Sequence, residues 1–393
     1  MQQLSPKQKE FWNAPFHRWN IKHGATRSGK TYLDYFMIPR RIRERVGKEG
    51  LVVLMGNTKG TLQRNVIEPM QALYGVSLVS SIRSDNTATM FGERVHCLGA
   101  DSKKHVDRLR GTSIKYCYGD EVVTWEKEVF EMLKSRLDKP YSCLDGTCNP
   151  GSPSHWFKAF IDSGADVFSQ RYSLDDNPFL DATVRAEMER EHTGVFYDRY
   201  IRGLWTVADG VIYPEYKAAV VKTEERKYTK YYISCDYGIH NPTCFGLFGE
   251  CGGAWYLVDE YYHSGRDTNA PKTDEEYYQE LVRFAGNRSI SAVIVDPSAS
   301  SFITLIRRRG KFPVKQGDNA VLEGIRHTAT ALSTGTLKIN DCCQRMISEF
   351  QAYSWDSKKN EDVPKKENDH MCDLLRYFVQ TMKIAEPNRR MYY

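Results

Sequence analysis

No apolar run in this 393-residue chain approaches the roughly 18 residues that span a bilayer. The opening stretch MQQLSPKQKEFWNAPFHRW likewise lacks the apolar core of a secretory signal. Neither a membrane role nor export is expected. The 10 cysteines include no C-x-x-C pair; Cys342 and Cys343 adjoin and the rest are scattered. That excludes zinc-ribbon spacing and, with no signal, argues against a disulfide framework. A reducing, aqueous compartment is expected. Internal repeats and low-complexity tracts are absent too. The formal charge of +5 favours an acidic partner such as nucleic acid only mildly. What the chain does have is apolar material, 41% of its residues, in a length that suggests two or three domains.

The stretch HGATRSGKT, residues 23–31, satisfies G-x-x-x-x-G-K-[ST] in full. Gly24 and Gly29 bracket Arg27 and Ser28 and let backbone N–H groups wrap phosphates, Lys30 neutralises the outer phosphates, and Thr31 holds Mg²⁺. The following YLDYFMIPRRIRERV predicts a helix whose positive end faces the anion. A nucleotide hydrolase also needs an acid at the end of a buried strand, and IKYCYGDEVVTW supplies one. Ile114–Gly119 reads as a strand, Asp120 as the Mg²⁺ holder and Glu121 as the base that orients water. The apolar LVVLMG (51–56), a helix over 60–74, and a helix in EKEVFEMLKSRL complete a succession that predicts a doubly wound parallel sheet. In LDGTCNPG, a strand is broken by Asn149-Pro150. Thr147 and Asn149 there read as coupling residues that sense the γ-phosphate, or as an ordinary Asn-Pro turn.

GATRSGKT, YGDEVV and GTCNP, in that order, resemble the ATPase motor of a tailed-bacteriophage terminase large subunit, in particular the compact PBSX type. The opening LSPKQKEFW resembles that family's adenine-recognition segment, which implies Gln8 as the reader; GADSKKHVDRLRGTSIKYCYGDE resembles its approach to the acidic motif. Residues 172–216, with two charged helical stretches and few apolar positions, are similar to its small linker subdomain. A motor of this kind also needs a cation against the γ-phosphate, often from a neighbouring subunit. Arg27 inside the loop and Arg136, placed on the helix after the acidic motif, are the candidates.

In the second half, YYISCDYGIHNPTCFGLFGECGGAWYLVDEYY reads as three strands, the first ending at Asp236. A helix over 273–286 leads to SAVIVDPSASS, a buried strand ending at Asp296. Two strands thus deliver carboxylates at one end. Downstream, ENDHMCDLLRYFVQTMKI puts Asp369, His370 and Asp373 on one helical face, with Leu374, Leu375 and Phe378 as a core-facing stripe. Three such acids suit two hard divalent cations about 4 Å apart, one activating water and one steadying the leaving oxygen of a phosphodiester. The succession looks like an RNase H-like nuclease, and D-H-x-x-D-x-x-R-Y resembles the end of the terminase nuclease, where the family usually has Ala at the position of Leu374. The resemblance implies Asp236, Asp296 and Asp373 as catalytic metal ligands, with Asp369 and His370 as further candidates; Asp369 also reads as a plain N-cap. Arg307 to Arg309, Lys365 and Lys366 are suited to a DNA backbone, or to a solvated face.

The expectation is therefore an α/β chain: a P-loop ATPase with a mostly parallel sheet over 1–170, a small helical linker over 171–225, and an RNase H-like nuclease over 226–393. The resemblance implies ATP-driven movement of double-stranded DNA into procapsids and cutting of concatemeric DNA. It implies ATP and Mg²⁺ in the motor and two Mg²⁺ or Mn²⁺ in the nuclease. The implied partners are a portal protein and a small terminase subunit, with a homo-oligomeric ring on the procapsid in the bacterial host cytoplasm. An ATP-dependent repair or restriction nuclease is the alternative, though no second motor domain with helicase motifs is seen. A binding protein with a degenerate P-loop is the other, opposed by intact Lys30, Thr31, Asp120 and Glu121.

Overall fold

In β2 (Leu51–Gly56), Val53 and Met55 join one apolar cluster while Val52 and Leu54 join another. A strand whose alternate residues enter two cores must be covered on both faces, and each such buried aliphatic stabilises by about 1.5–3 kcal/mol over exposure. That pattern organises the first half of the protein. The computed structural model describes residues 4–100, 111–238, 241–265, 270–356, 359 and 362–384. Residues 101–110, within the segment that approaches the acidic motif, lie outside these.

The first sheet runs β3-β4-β2-β5-β6-β1-β7. Its strands are β1 (Trp19–Gly24), β2, β3 (Thr87–Met90), β4 (Glu93–Gly99), β5 (Ile114–Gly119), β6 (Cys143–Cys148) and β7 (Val167–Tyr172). All pairs are parallel except β3 with β4. One face packs on helices Lys127–Lys134 and Trp156–Ile161, the other on Lys30–Arg43 and the 59–74 segment. The doubly wound expectation holds.

The helix expected after the loop forms over Lys30–Arg43 and runs through Pro39. Two local departures matter. The helix expected over 60–74 is broken by a π-helical turn, Gln63–Ile67. The helix after the acidic motif ends at Lys134, so Arg136 stands beyond it rather than on it. The Arg136 carbonyl accepts from the Ile114 N–H at the start of β5, the end of the strand remote from Asp120. Six strand residues separate those ends by about 20 Å.

The second sheet is mixed and runs β13-β12-β9-β10-β11-β14-β8. The meander expected from sequence is β9 (Tyr231–Asp236), β10 (Thr243–Cys251) and β11 (Ala254–His263), followed by β12 (Ile290–Val295). The edges are β8 (Val220–Val221) and β13 (Val314–Gln316), with β14 (Leu337–Asn340) between β11 and β8. Helices Asp274–Ala285 and Ser300–Arg309 cover one face through Tyr277, Leu281, Phe302 and Ile306. On β10, Phe248 stacks on Phe378 of the helix His370–Met382, ring centroids 3.8 Å apart.

That last helix is not the one-sided stripe its spacing predicts. Every residue from Met371 to Gln380 is buried, polar ones included. Arg376 lies against Gly324 of the helix Val321–Ser333, where an added Cβ would come within 2.5 Å of the Arg376 side chain. A burial pattern cannot be read from hydrophobicity where the polar face packs on a neighbouring helix.

Two compact units result: Met1–Arg185 with Tyr197–Val207, and Ala186–Phe196 with Ala208–Tyr393. Residues of the 171–225 stretch are shared between them. Among the described residues no helix is long and apolar enough to cross a membrane.

Candidate functional site

The loop after β1 turns on left-handed residues. Gly29 sits at φ 87° as the N-cap of the helix Lys30–Arg43, and Arg27 takes φ 56° with its side chain exposed. Gly24 is required for another reason: a Cβ there would lie 1.9 Å from the Tyr172 carbonyl oxygen, at the end of β7. The Ser28 hydroxyl donates back to the Ala25 carbonyl at 2.7 Å, so it closes the loop. Gln8 accepts from its own helix cap, Ser5 N–H, at 2.8 Å and donates to the Gly29 carbonyl at 2.8 Å. Each pole of its amide is thus engaged once, and one N–H and one carbonyl lone pair remain for any ligand.

Lys30 is buried, and its Nζ donates to the carbonyls of Gly24 (2.9 Å) and Ala25 (2.5 Å) and to Asn149 Oδ1 (3.2 Å). Burial pushes its pKa down, against the pull of Glu121. On the far side, the Asn149 Nδ2 and backbone N–H donate to Glu121 Oε1 and Oε2 at 3.3 and 3.1 Å. Glu121 itself is held at φ 50°, a costly conformation for a residue with a Cβ. Thr147 donates to Asp120 Oδ1 at 3.3 Å and accepts from the Glu121 N–H at 3.4 Å. Burial raises the pKa of both acids. Lys30, Asp120, Glu121, Thr147 and Asn149 therefore meet at the ends of β1, β5 and β6, as the spacing predicts. Exposed Arg27 lies on the same loop; Arg136 does not reach this end of the sheet.

The second group forms at the end of β9 and β12. These strands are parallel, with Val295 opposite Cys235, so the next residues, Asp296 and Asp236, stand side by side. Ser234 Oγ donates to the Leu374 carbonyl at 2.7 Å and fixes the helix His370–Met382 across β9. Leu374 fits because β10 has Gly246 there: a Cβ at 246 would lie 2.7 Å from Leu374 Cδ1. His370 Nδ1 lies 2.8 Å from Asp236 Oδ2, Tyr377 donates to Asp296 Oδ2 at 2.6 Å, and Arg376 donates to Asp373 Oδ1 at 3.0 Å.

Burial raises the Asp236 pKa, His370 opposes this, and the charges of Asp373 and Asp296 push it further up. Burial also presses on Asp296, but the hydroxyl of Tyr377 and the N–H of Ser298 outweigh it and hold that carboxyl low. His370 is raised despite burial, through its bond to Asp236. Each acid is held by protein donors. Among the described residues no three His, Cys, Asp or Glu side chains already enclose one point as a metal cage.

A sequence model described as terminase large subunit, T4likevirus-type, N-terminal, matches residues 22–219. The large terminase of a thermophilic bacteriophage is 36% identical, with a TM-score of 0.89 over 97% of this chain and 100% of that one. The same phage protein in complex with ATP-gamma-S superposes with a TM-score of 0.85 over 96% and 98% of the two chains, and in complex with ADP with 0.86 over 97% and 100%. The chain belongs to the terminase large subunit family. No curated protein matches it. Membership decides against the repair and restriction nuclease reading and against the degenerate binding protein: a large terminase packages viral DNA with an ATPase and cuts it with a nuclease.

Several residues of this terminase that shape the sites escaped sequence reasoning. Arg376 and Tyr377 sit in the closing R-Y of the acidic motif, so their signal was present without a role. Asn65 donates to Asp120 Oδ2 at 3.3 Å from within the π-helical turn, and no periodicity marks it. Glu349 is buried and accepts from the Met371 and Cys372 N–H groups at 2.7 and 3.4 Å, so it caps the acid-bearing helix from another helix. Nothing local to a lone Glu announces that.

Proposed function

We propose that the two groups divide the work of the terminase as follows. In the motor, the loop from Gly24 to Thr31 holds the ATP phosphates, Asp120 and Thr31 hold its Mg²⁺, and Glu121 takes the proton from water. The cradle fits the group: the helix after left-handed Gly29 starts with no side-chain cap, and buried Lys30 is satisfied only by loop carbonyls and Asn149. Bound Mg²⁺ would neutralise charge on the outer phosphates. The observation that carries this reading is Asn149, whose amide touches Lys30 on one side and Glu121 on the other. Both Glu121 oxygens accept from Asn149, which fixes their orientation and lowers their basicity, so a phosphate that draws Lys30 away from Asn149 also loosens the base. Thr147 and Asn149 thereby couple binding to hydrolysis. Gln8 positions the loop, and its free N–H faces the nucleotide. Within one subunit Arg27, exposed on the loop, is the better placed of the two candidate cations; Arg136 would act only on a neighbouring subunit's nucleotide.

In the nuclease, Asp236, Asp296 and Asp373 would hold two Mg²⁺ or Mn²⁺, with His370 orienting Asp236 and Asp369 alongside. The fit is chemical: the donors are hard carboxylates, and the charges of Asp373 and Asp296 both bear on Asp236. The ions would supply Lewis acidity at a phosphodiester. Residues 171–225 would link motor and nuclease. The setting supported by family membership is a homo-oligomeric ring engaged with a portal protein and a small terminase subunit, on double-stranded DNA in the host cytoplasm.

Assays of the full chain test the division. Lys30→Ala should abolish ATP turnover and leave Mn²⁺-dependent DNA cutting in place. Asp296→Ala should do the reverse. ATPase near wild type in the first, or full cutting by a folded second variant, would overturn the respective assignment.

A further inference from the structure

Asp373 has two carboxylate oxygens and two cationic neighbours, and the neighbours differ in kind. Oδ1 accepts from Arg376 at 3.0 Å. Arg376 lies on the same helix, is 1% exposed, and spends its Nη1 on Asn319 Oδ1 at 3.1 Å. It is built in. Oδ2 faces the ammonium of Lys366 at 3.7 Å, and the same ammonium stands 3.6 Å from Asp369 Oδ2. These are ion-pair separations, longer than a hydrogen bond. The Lys366 side chain is 62% exposed, while those of Asp369 and Asp373 are 8% and 11% exposed. One flexible, hydrated cation therefore spans two nearly buried acids from the solvent side. A pairing of that sort is cheap to give up, unlike the fixed guanidinium beneath it.

We infer that Lys366 is a displaceable counter-ion of the acid helix: it balances Asp369 and Asp373 at rest and competes with divalent metal for Asp373 Oδ2. The inference rests on the metal-site reading above and adds a built-in brake on metal uptake. Charge logic fixes the sign. Removing a general positive charge anywhere near the site would favour a cation slightly, but removing the one cation seated on the ligand atom should favour it more. Lys365 adjoins Lys366, carries the same charge and is in no ion pair among the described residues, so it provides the matched control.

The test is Mn²⁺ binding by nucleotide-free, full-length protein, read by electron paramagnetic resonance of the unbound ion. K366M should bind Mn²⁺ about three- to tenfold more tightly than wild type, the range that two exposed ion pairs supply. K365M should stay within about twofold, a charge with no partner in reach counting for little. K366R, which keeps the charge, should bind no tighter than wild type. Unchanged or weaker binding by K366M, equal shifts in K366M and K365M, or tighter binding by K366R would each overturn the inference while leaving the metal site standing. If wild type binds no Mn²⁺, or Asp373→Ala binds it as well as wild type does, the metal-site reading falls and the inference with it.

Discussion

Glu121 shows how one residue serves two tasks. Its backbone is left-handed, and each of its two oxygens accepts one bond from Asn149. Glu121→Gln keeps the shape and an oxygen for the Asn149 N–H but cannot take a proton. ATP binding, followed with a fluorescent analogue, should stay within a few-fold of wild type, while turnover falls by about 10²-fold or more. Loss of binding together with turnover would make Glu121 a structural residue. The same scale explains the tolerance for Leu374 where the related motif usually has Ala. The space comes from Gly246, whose missing Cβ is the reason the larger side chain fits. Gly246→Ala should destabilise by about 1–3 kcal/mol through overpacking. Gly246→Ala with Leu374→Ala should recover part of that, so the denaturation midpoints of the two singles and the double should not add.

At the scale of elements, the acid-bearing helix His370–Met382 starts without a side-chain cap of its own. Its free N–H groups are met by Glu349, from the end of the helix Gln344–Ala352, and Arg345 donates to Glu349 Oε1 at 3.2 Å. The previous step has the same form: Glu260 on β11 accepts from the Arg345 and Met346 N–H groups at 2.6 and 2.9 Å. Carboxylates thus pin two successive helix starts, where the helix dipole favours an anion. Glu349→Ala should leave those N–H groups buried and unmet, at a cost of about 1–3 kcal/mol. Because this start carries His370 and Asp373, Mn²⁺ affinity should fall as well. Glu349→Gln, which keeps one acceptor oxygen, should restore most of the stability. Full Mn²⁺ affinity in a folded Glu349→Ala protein would remove the positioning role.

For the whole molecule, pH dependence follows from acids whose burial outweighs the donors around them. Both carboxylate oxygens of Glu215 are buried and short of a well-formed hydrogen bond, and burial pushes its pKa to about 7. The folded pKa lies above the unfolded one. The native state therefore keeps a proton that the unfolded state releases between about pH 4.5 and about 7. Its contribution to stability is full below that window and lost as pH rises through it. Asp34 and Glu349 are raised in the same direction by burial, so they add to the slope. Glu215→Gln should flatten the fall in unfolding free energy between pH 5 and 8 and stabilise the protein at pH 8 by an amount on the order of 1 kcal/mol. An unchanged slope would mean that Glu215 meets solvent or a donor in the folded state.

Much of this terminase was legible in its amino acids because the signals are local. The loop motif, the strand-terminal Asp120, Glu121, Asp236 and Asp296, and the helical spacing of Asp369, His370 and Asp373 each need only a few consecutive residues, whose period and chemistry are fixed by the chain itself. The parallel sheet followed from strands apolar on both sides. Side-chain partnerships joining distant residues were not legible. Asn149 between Lys30 and Glu121, Tyr377 on Asp296, Glu349 beneath a helix 22 residues downstream, and Lys366 over two acids all depend on which surfaces pack. The end of a helix two residues before Arg136, and the burial of a polar helix face against Gly324, were likewise decided by packing. Sequence determines which chemistry each strand end and helix face carries, because covalent neighbours set periodicity. Tertiary structure decides which of those groups meet, because burial makes an unpartnered polar atom costly and most find a partner wherever the fold places one.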